Sequence, residues 1–68
     1  MVDSKAFIKA VERSGMTMHR IAEKMGVPFI SLEYKSRNMM EFLASEIESF
    51  CKVVGVTTRA EKERIFFG

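Results

Sequence analysis

The stretch 28-PFISLEYKSRN-38 holds the residues of this chain best suited by type and spacing to recognise a partner. At ~100° per residue along a helix, Phe29, Ile30, Glu33, Tyr34 and Arg37 occupy one arc, while Leu32 points the other way between Ser31 and Lys35. Two apolar side chains, a phenol, a carboxylate and a guanidinium make a surface for contact rather than for making bonds. Elsewhere the reactive groups are sparse. His19 has no Cys, Asp or Glu set at ligand spacing, so a solvated or phosphate-touching imidazole is expected in preference to a metal site. Cys51 falls on an apolar stripe and is expected to be a small buried residue rather than a reactive thiol. Nothing assembles a nucleophile with a base, a metal cage or a phosphate loop, so neither an enzyme nor a cofactor is expected.

These residues have to be positioned by a small scaffold. A chain of 68 residues with 47% hydrophobic content has room for one domain, spanning residues 1–68. One cysteine cannot form an internal disulfide, so stability must come from packing, with or without a partner chain. No apolar run approaches the ~20 residues that span a bilayer, and charges interrupt the N-terminal segment, so a soluble intracellular protein is expected. The net charge of +2 is modest, but it is unevenly placed. Residues 13–38 carry Arg13, Arg20, Lys24, Lys35 and Arg37 against Glu23 and Glu33, a balance of +3, whereas residues 39–68 sum to −1.

Punctuation falls at Gly15, Gly26 and Gly55, each closing an apolar-periodic segment where a helix can end in a left-handed residue. The expected architecture is all-α, with five helices and no strands. The first helix runs from Ser4 to about Ser14 with Phe7, Ala10 and Val11 facing the core. Thr17 can cap a second, in which Met18, Ile21, Ala22 and Met25 recur at i, i+3, i+4, i+7. Pro28 starts a third, which runs to about Ser36. After a loop over residues 38–41, a fourth carries Leu43, Ile47, Phe50, Cys51 and Val54. Thr58 with Glu61 forms a capping-box pattern for a short fifth helix reaching Ile65, Phe66 and Phe67, which either close the core or form a dimer seam. The six methionines suit core filling, although Met16, Met18, Met39 and Met40 lie near the contact stretch in sequence.

Two short helices joined by a corner containing Gly make a helix-turn-helix pattern, and 17-TMHRIAEKMGVPFISLEYK-35 supplies it. Ala22 lets the helices approach, Gly26 turns the corner, and Ile21, Met25, Val27 and Leu32 set their angle. With Arg13-Ser14-Gly15-Met16-Thr17, Ile21-Ala22-Glu23-Lys24-Met25-Gly26-Val27 and Leu32, the chain resembles the lambda-repressor-like helix-turn-helix domains of phage repressors and Cro proteins, the XRE-type regulators. Glu41-Phe42, Ser45-Glu46-Ile47, Cys51, Gly55-Val56-Thr57 and Ile65-Phe66-Phe67 extend the likeness to the small one-domain regulators of temperate phages and prophages.

The resemblance implies a cytoplasmic transcription regulator in a bacterial host cell, acting as a homodimer on double-stranded operator DNA. The third helix would enter the major groove while the second helix and the following loop hold phosphates. Carried over by position, the base-facing residues are Pro28, Phe29, Ile30, Glu33, Tyr34 and Arg37, with Met18 at the start of the second helix. The phosphate contacts are Thr17, Arg20, Lys35 and Asn38.

The first turn of the third helix departs from that pattern. Family members usually carry Ser, Arg, Gln or Thr where this chain has Pro28, Phe29 and Ile30, since base edges are read by hydrogen bonds worth roughly 1–3 kcal/mol per bidentate pair. With Leu32 facing the core, Phe29, Ile30 and Tyr34 are expected outside, and apolar residues gathered on an outer face suggest a binding surface. A helix rotated or shortened so that Phe29 or Ile30 packs inward is the plainer alternative. A domain turned to protein binding, such as an antirepressor covering a repressor's DNA-reading surface through Phe29, Ile30 and Tyr34, is the other.

Overall fold

Side-chain caps fix where three of the helices begin. Asp3 accepts from the Ala6 amide at 3.1 Å, Thr17 from Arg20 at 3.1 Å and Thr58 from Glu61 at 3.2 Å. Each satisfies an amide that the first helical turn leaves without a partner. In the computed structural model, which describes residues 1–67, these caps open α1 (Ser4–Ser14), α2 (Met18–Met25) and α5 (Arg59–Phe66). Pro28, with φ −62°, leads into α3 (Phe29–Ser36), and Leu43 into α4 (Ala44–Val54). The described residues are all-helical with no strand, as the periodicity predicted.

Two details differ from the expected caps. Leu43 lies one residue ahead of α4 and is 62% exposed, so it does not belong to the buried stripe of Ile47, Phe50, Cys51 and Val54. A helical phase extrapolated back past the helix start no longer applies there. Glu61 does not reach back to complete a box with Thr58, because its carboxylate pairs with Arg13 at 2.5 Å. The reciprocal contact occurs in α4 instead, where the Glu46 carboxylate accepts from the Leu43 amide at 2.9 Å.

The core is centred on aromatic rings from three helices and one loop. Phe7 of α1 stacks on Phe50 of α4 with centroids 4.4 Å apart, and Phe66 of α5 meets both edge-on. Phe42, from the loop before α4, closes the group at 5.2 Å from Phe66. Offset and edge-to-face pairs of this kind add about 0.5–1.5 kcal/mol each beyond the area they bury. Ile65 and Phe66 therefore close the core, whereas Phe67 lies 66% exposed beyond it. Ile21, Ala22 and Leu32 complete the buried set on the side of α2 and α3, with Met18, Met25, Val27 and Phe29 packed partly against it.

The chain's start is pinned to this scaffold. Asp3 donates its amide to Ile65 O at 2.7 Å, and the Ser4 hydroxyl donates to Ser36 O at 2.7 Å. Among the described residues no helix is long and apolar enough to cross a membrane.

Candidate nucleic-acid interface

Gly26 closes α2 in the left-handed conformation at φ 76°, and α3 begins three residues later at Phe29. A residue with a Cβ meets a steric penalty at this φ, which is why glycine suits the corner. α2 packs on both α3 and α4, and α3 is held by its inner side, where Leu32, Lys35 and Ser36 are buried. On the opposite side Ile30, Tyr34 and Arg37 are exposed, an i, i+4, i+7 stripe facing away from the core.

Phe29 does not share that stripe. It is half-buried, and its ring stacks on His19 of α2 with centroids 3.6 Å apart and planes 7° from parallel. The expectation that Phe29 stands outside with Ile30 and Tyr34 is corrected accordingly. The first turn of α3 approaches α2 across the Gly26 corner, so one face of the Phe29 ring finds cover that a single-helix projection cannot reveal. Of the apolar pair at the start of α3, only Ile30, 52% exposed, is presented outward.

The charged residues are largely matched. Arg37 donates to Glu33 Oε1 at 2.8 Å, one turn away on α3, and Arg20 to Glu23 Oε1 at 2.7 Å on α2. Both pairs are solvent-exposed, and such pairs contribute only about 0–1 kcal/mol, so either guanidinium can exchange its carboxylate for a phosphate at small cost. Glu33, on the same helix as the outward stripe, is thereby neutralised locally. Lys24 has no ion-pair partner among the described residues.

Two of the four expected phosphate contacts are engaged within the fold. Lys35 is buried, and its ammonium donates to both carboxylate oxygens of Glu46 at 2.7 and 2.6 Å. Burial pushes the Glu46 carboxyl up, but the Lys35 hydrogen bond, the Leu43 amide and the Lys35 charge together hold it below its ordinary value. Asn38, at φ 62°, uses both ends of its amide on Val2: Oδ1 accepts from the Val2 amide at 2.7 Å, and Nδ2 donates to the Val2 carbonyl at 2.8 Å. These commitments correct the picture of Lys35 and Asn38 as open phosphate ligands: the Lys35 ammonium is turned inward onto Glu46, and the exposed Asn38 has both ends of its amide bonded to Val2. Thr17 and Arg20 remain exposed, and the Thr17 hydroxyl, accepting as a cap, keeps its own O–H to donate. Pro28 is exposed ahead of α3 and Met18 is half-buried against the core.

Cys51 is buried on α4, and burial pushes its thiol up, as expected for an unreactive position. Among the described residues no group of three or more His, Cys, Asp or Glu side chains could hold a metal ion. Sequence reasoning missed three contacts: the His19–Phe29 stack, the Lys35–Glu46 pair and the Asn38–Val2 clamp. Only the last had a local signal, since Asn is one of the few residues that enter the left-handed region readily after a helix. Comparison with protein-family models, with curated proteins and with solved structures finds no match to this chain.

Proposed function

We propose that the chain is a phage- or prophage-type transcription regulator that binds operator DNA by inserting α3 into the major groove. The observation that carries this reading is the mounting of α3. It is gripped on one side by Leu32, Lys35 and Ser36 and bare on the other, and a helix with its side chains is about 10–12 Å across, which a major groove about 12 Å wide admits. Thr17, Arg20, Lys24 and Arg37 supply exposed donors for phosphates around it. Lys24, without an ion-pair partner among the described residues, and the resemblance of the helix-turn-helix segment to repressor and Cro domains point the same way. Homodimer formation belongs to this reading, with the exposed Phe67 and Met40, which border one cleft with Phe42 and Phe66, as its apolar surface.

The test is electrophoretic mobility shift with DNA adjacent to the protein's own gene. Each phosphate neutralised should steepen the salt dependence by about 0.9 log unit of affinity per log unit of salt. Binding that is absent or indifferent to salt would count against the reading.

A second reading is favoured by one specific observation: Ile30 and Tyr34 are exposed while Arg20, Lys35 and Arg37 each already have a carboxylate partner. A domain of the same shape that captures a protein, as an antirepressor does, would use that apolar stripe. Polar replacement of Ile30 and Tyr34 would then abolish capture of the partner in a pull-down while leaving helical circular dichroism unchanged. Capture that survives the replacement would exclude it.

A further inference from the structure

Resting on the DNA-binding reading, we infer that α3 recognises thymine by its C5-methyl group, through Ile30 with the Tyr34 ring one turn behind it, rather than through hydrogen bonds to base edges. The first turn of α3 leaves little choice. Pro28 and Ile30 are its exposed side chains, and neither carries a hydrogen-bonding group. Phe29 is withdrawn onto His19, and Ser31 is half-buried beside Leu32.

In the major groove each base pair offers donors and acceptors, but only the thymine methyl offers apolar surface. Ile30, 52% exposed, can gain by burying that methyl, whereas opposite a cytosine amino group or a guanine it would leave a polar edge without a partner. Tyr34, 40% exposed at i+4, continues the same apolar line and keeps its hydroxyl for a phosphate. The carboxylate on this helix does not oppose the approach, since Glu33 is paired with Arg37 at 2.8 Å. Lys24, without an ion-pair partner among the described residues, and the solvent-exposed, exchangeable Arg20 and Arg37 favour a polyanion over a neutral or basic protein surface as the occupant of this face.

The experiment starts with the full chain and a pool of duplexes randomised at the centre, from which bound sequences are selected. The selected duplex is then synthesised with deoxyuridine in place of thymidine, which removes the methyl and leaves every hydrogen-bonding group and charge unchanged. The selected sites should be enriched in thymine. Affinity should fall roughly fourfold for each contacted methyl removed, the factor that corresponds to one buried CH2 group.

The loss should be much reduced in Ile30→Ala, where only the Tyr34 ring is left to meet the methyl. Ile30→Thr, which keeps a γ-methyl, should retain part of it. Unchanged helical circular dichroism and melting temperature certify that both variants are folded. Equal binding of the thymine and uracil duplexes by the native chain overturns methyl recognition while leaving DNA binding intact, as does a selected site without thymine. Selection of no duplex at all overturns both, including when the chain captures a protein through Ile30 and Tyr34 instead.

Discussion

Lys35 and Glu46, eleven positions apart, form the only ion pair among the described residues in which both side chains are less than about one-sixth exposed, at 11% and 15%. The contact ties the last turn of α3 to the first turn of α4, and the same Glu46 carboxylate accepts from the Leu43 amide. One carboxylate thus fixes the inner side of the presented helix and the start of its neighbour. Glu46→Ala should leave the Lys35 ammonium without a partner and cost about 2–4 kcal/mol, since breaking one side of a buried pair is more expensive than removing both. The double variant Lys35→Met/Glu46→Leu should recover part of that loss, measured by urea unfolding.

The same pair predicts an acid-side dependence. The folded-state value of Glu46 lies below its ordinary 4.5, so the unfolded chain takes up this proton at higher pH than the folded one. Its stabilising contribution is fully present above about pH 4.5 and is lost as pH falls through the lowered folded value. Melting temperatures followed downward from neutral pH should therefore fall more steeply for the native chain than for Glu46→Gln, which has no proton to take up.

His19 and Phe29 should be energetically coupled across the Gly26 corner. Each single alanine variant loses the stack, and a double-mutant cycle should return about 0.5–1.5 kcal/mol of interaction. Additive effects within error would mean that the two rings lie together without contributing.

The corner itself is testable. Gly26 sits at φ 76° with open space where a Cβ would point, so Gly26→Ala is opposed by backbone conformation and not by a clash. A loss of about 1–2 kcal/mol is expected, and Gly26→Asn should lose less, because Asn tolerates this region. Equal losses for the two replacements would place the cost elsewhere.

Cys51 should be chemically silent in the folded protein. It is 7% exposed and its thiol is pushed up by burial, so labelling by a thiol reagent near neutral pH should await opening of the helix packing. Rates should rise to those of a free thiol in denaturant. Fast labelling of the native chain would show that α4 opens locally.

The sequence by itself determined the elements. Apolar residues at helical spacing, caps at Thr17 and Thr58, and left-handed stops at Gly15, Gly26 and Gly55 are rules that operate within a few residues; α2 and α5 begin after those caps and α1, α2 and α4 end at those glycines, whereas the start of α4 falls one residue past Leu43. The resemblance set Leu32 inward, and the helical projection then put Ile30 and Tyr34 on the outer side, where they lie. The tertiary structure decided everything that depends on a second element. Phe29 found cover against His19 because α2 and α3 meet at the corner. Lys35 became internal because the first turn of α4 brings Glu46 within 2.6 Å of it, and Asn38 was occupied because the chain's start crosses at Val2. Periodicity describes the faces of one helix, whereas the fate of a charge or a ring depends on what the fold packs against that face.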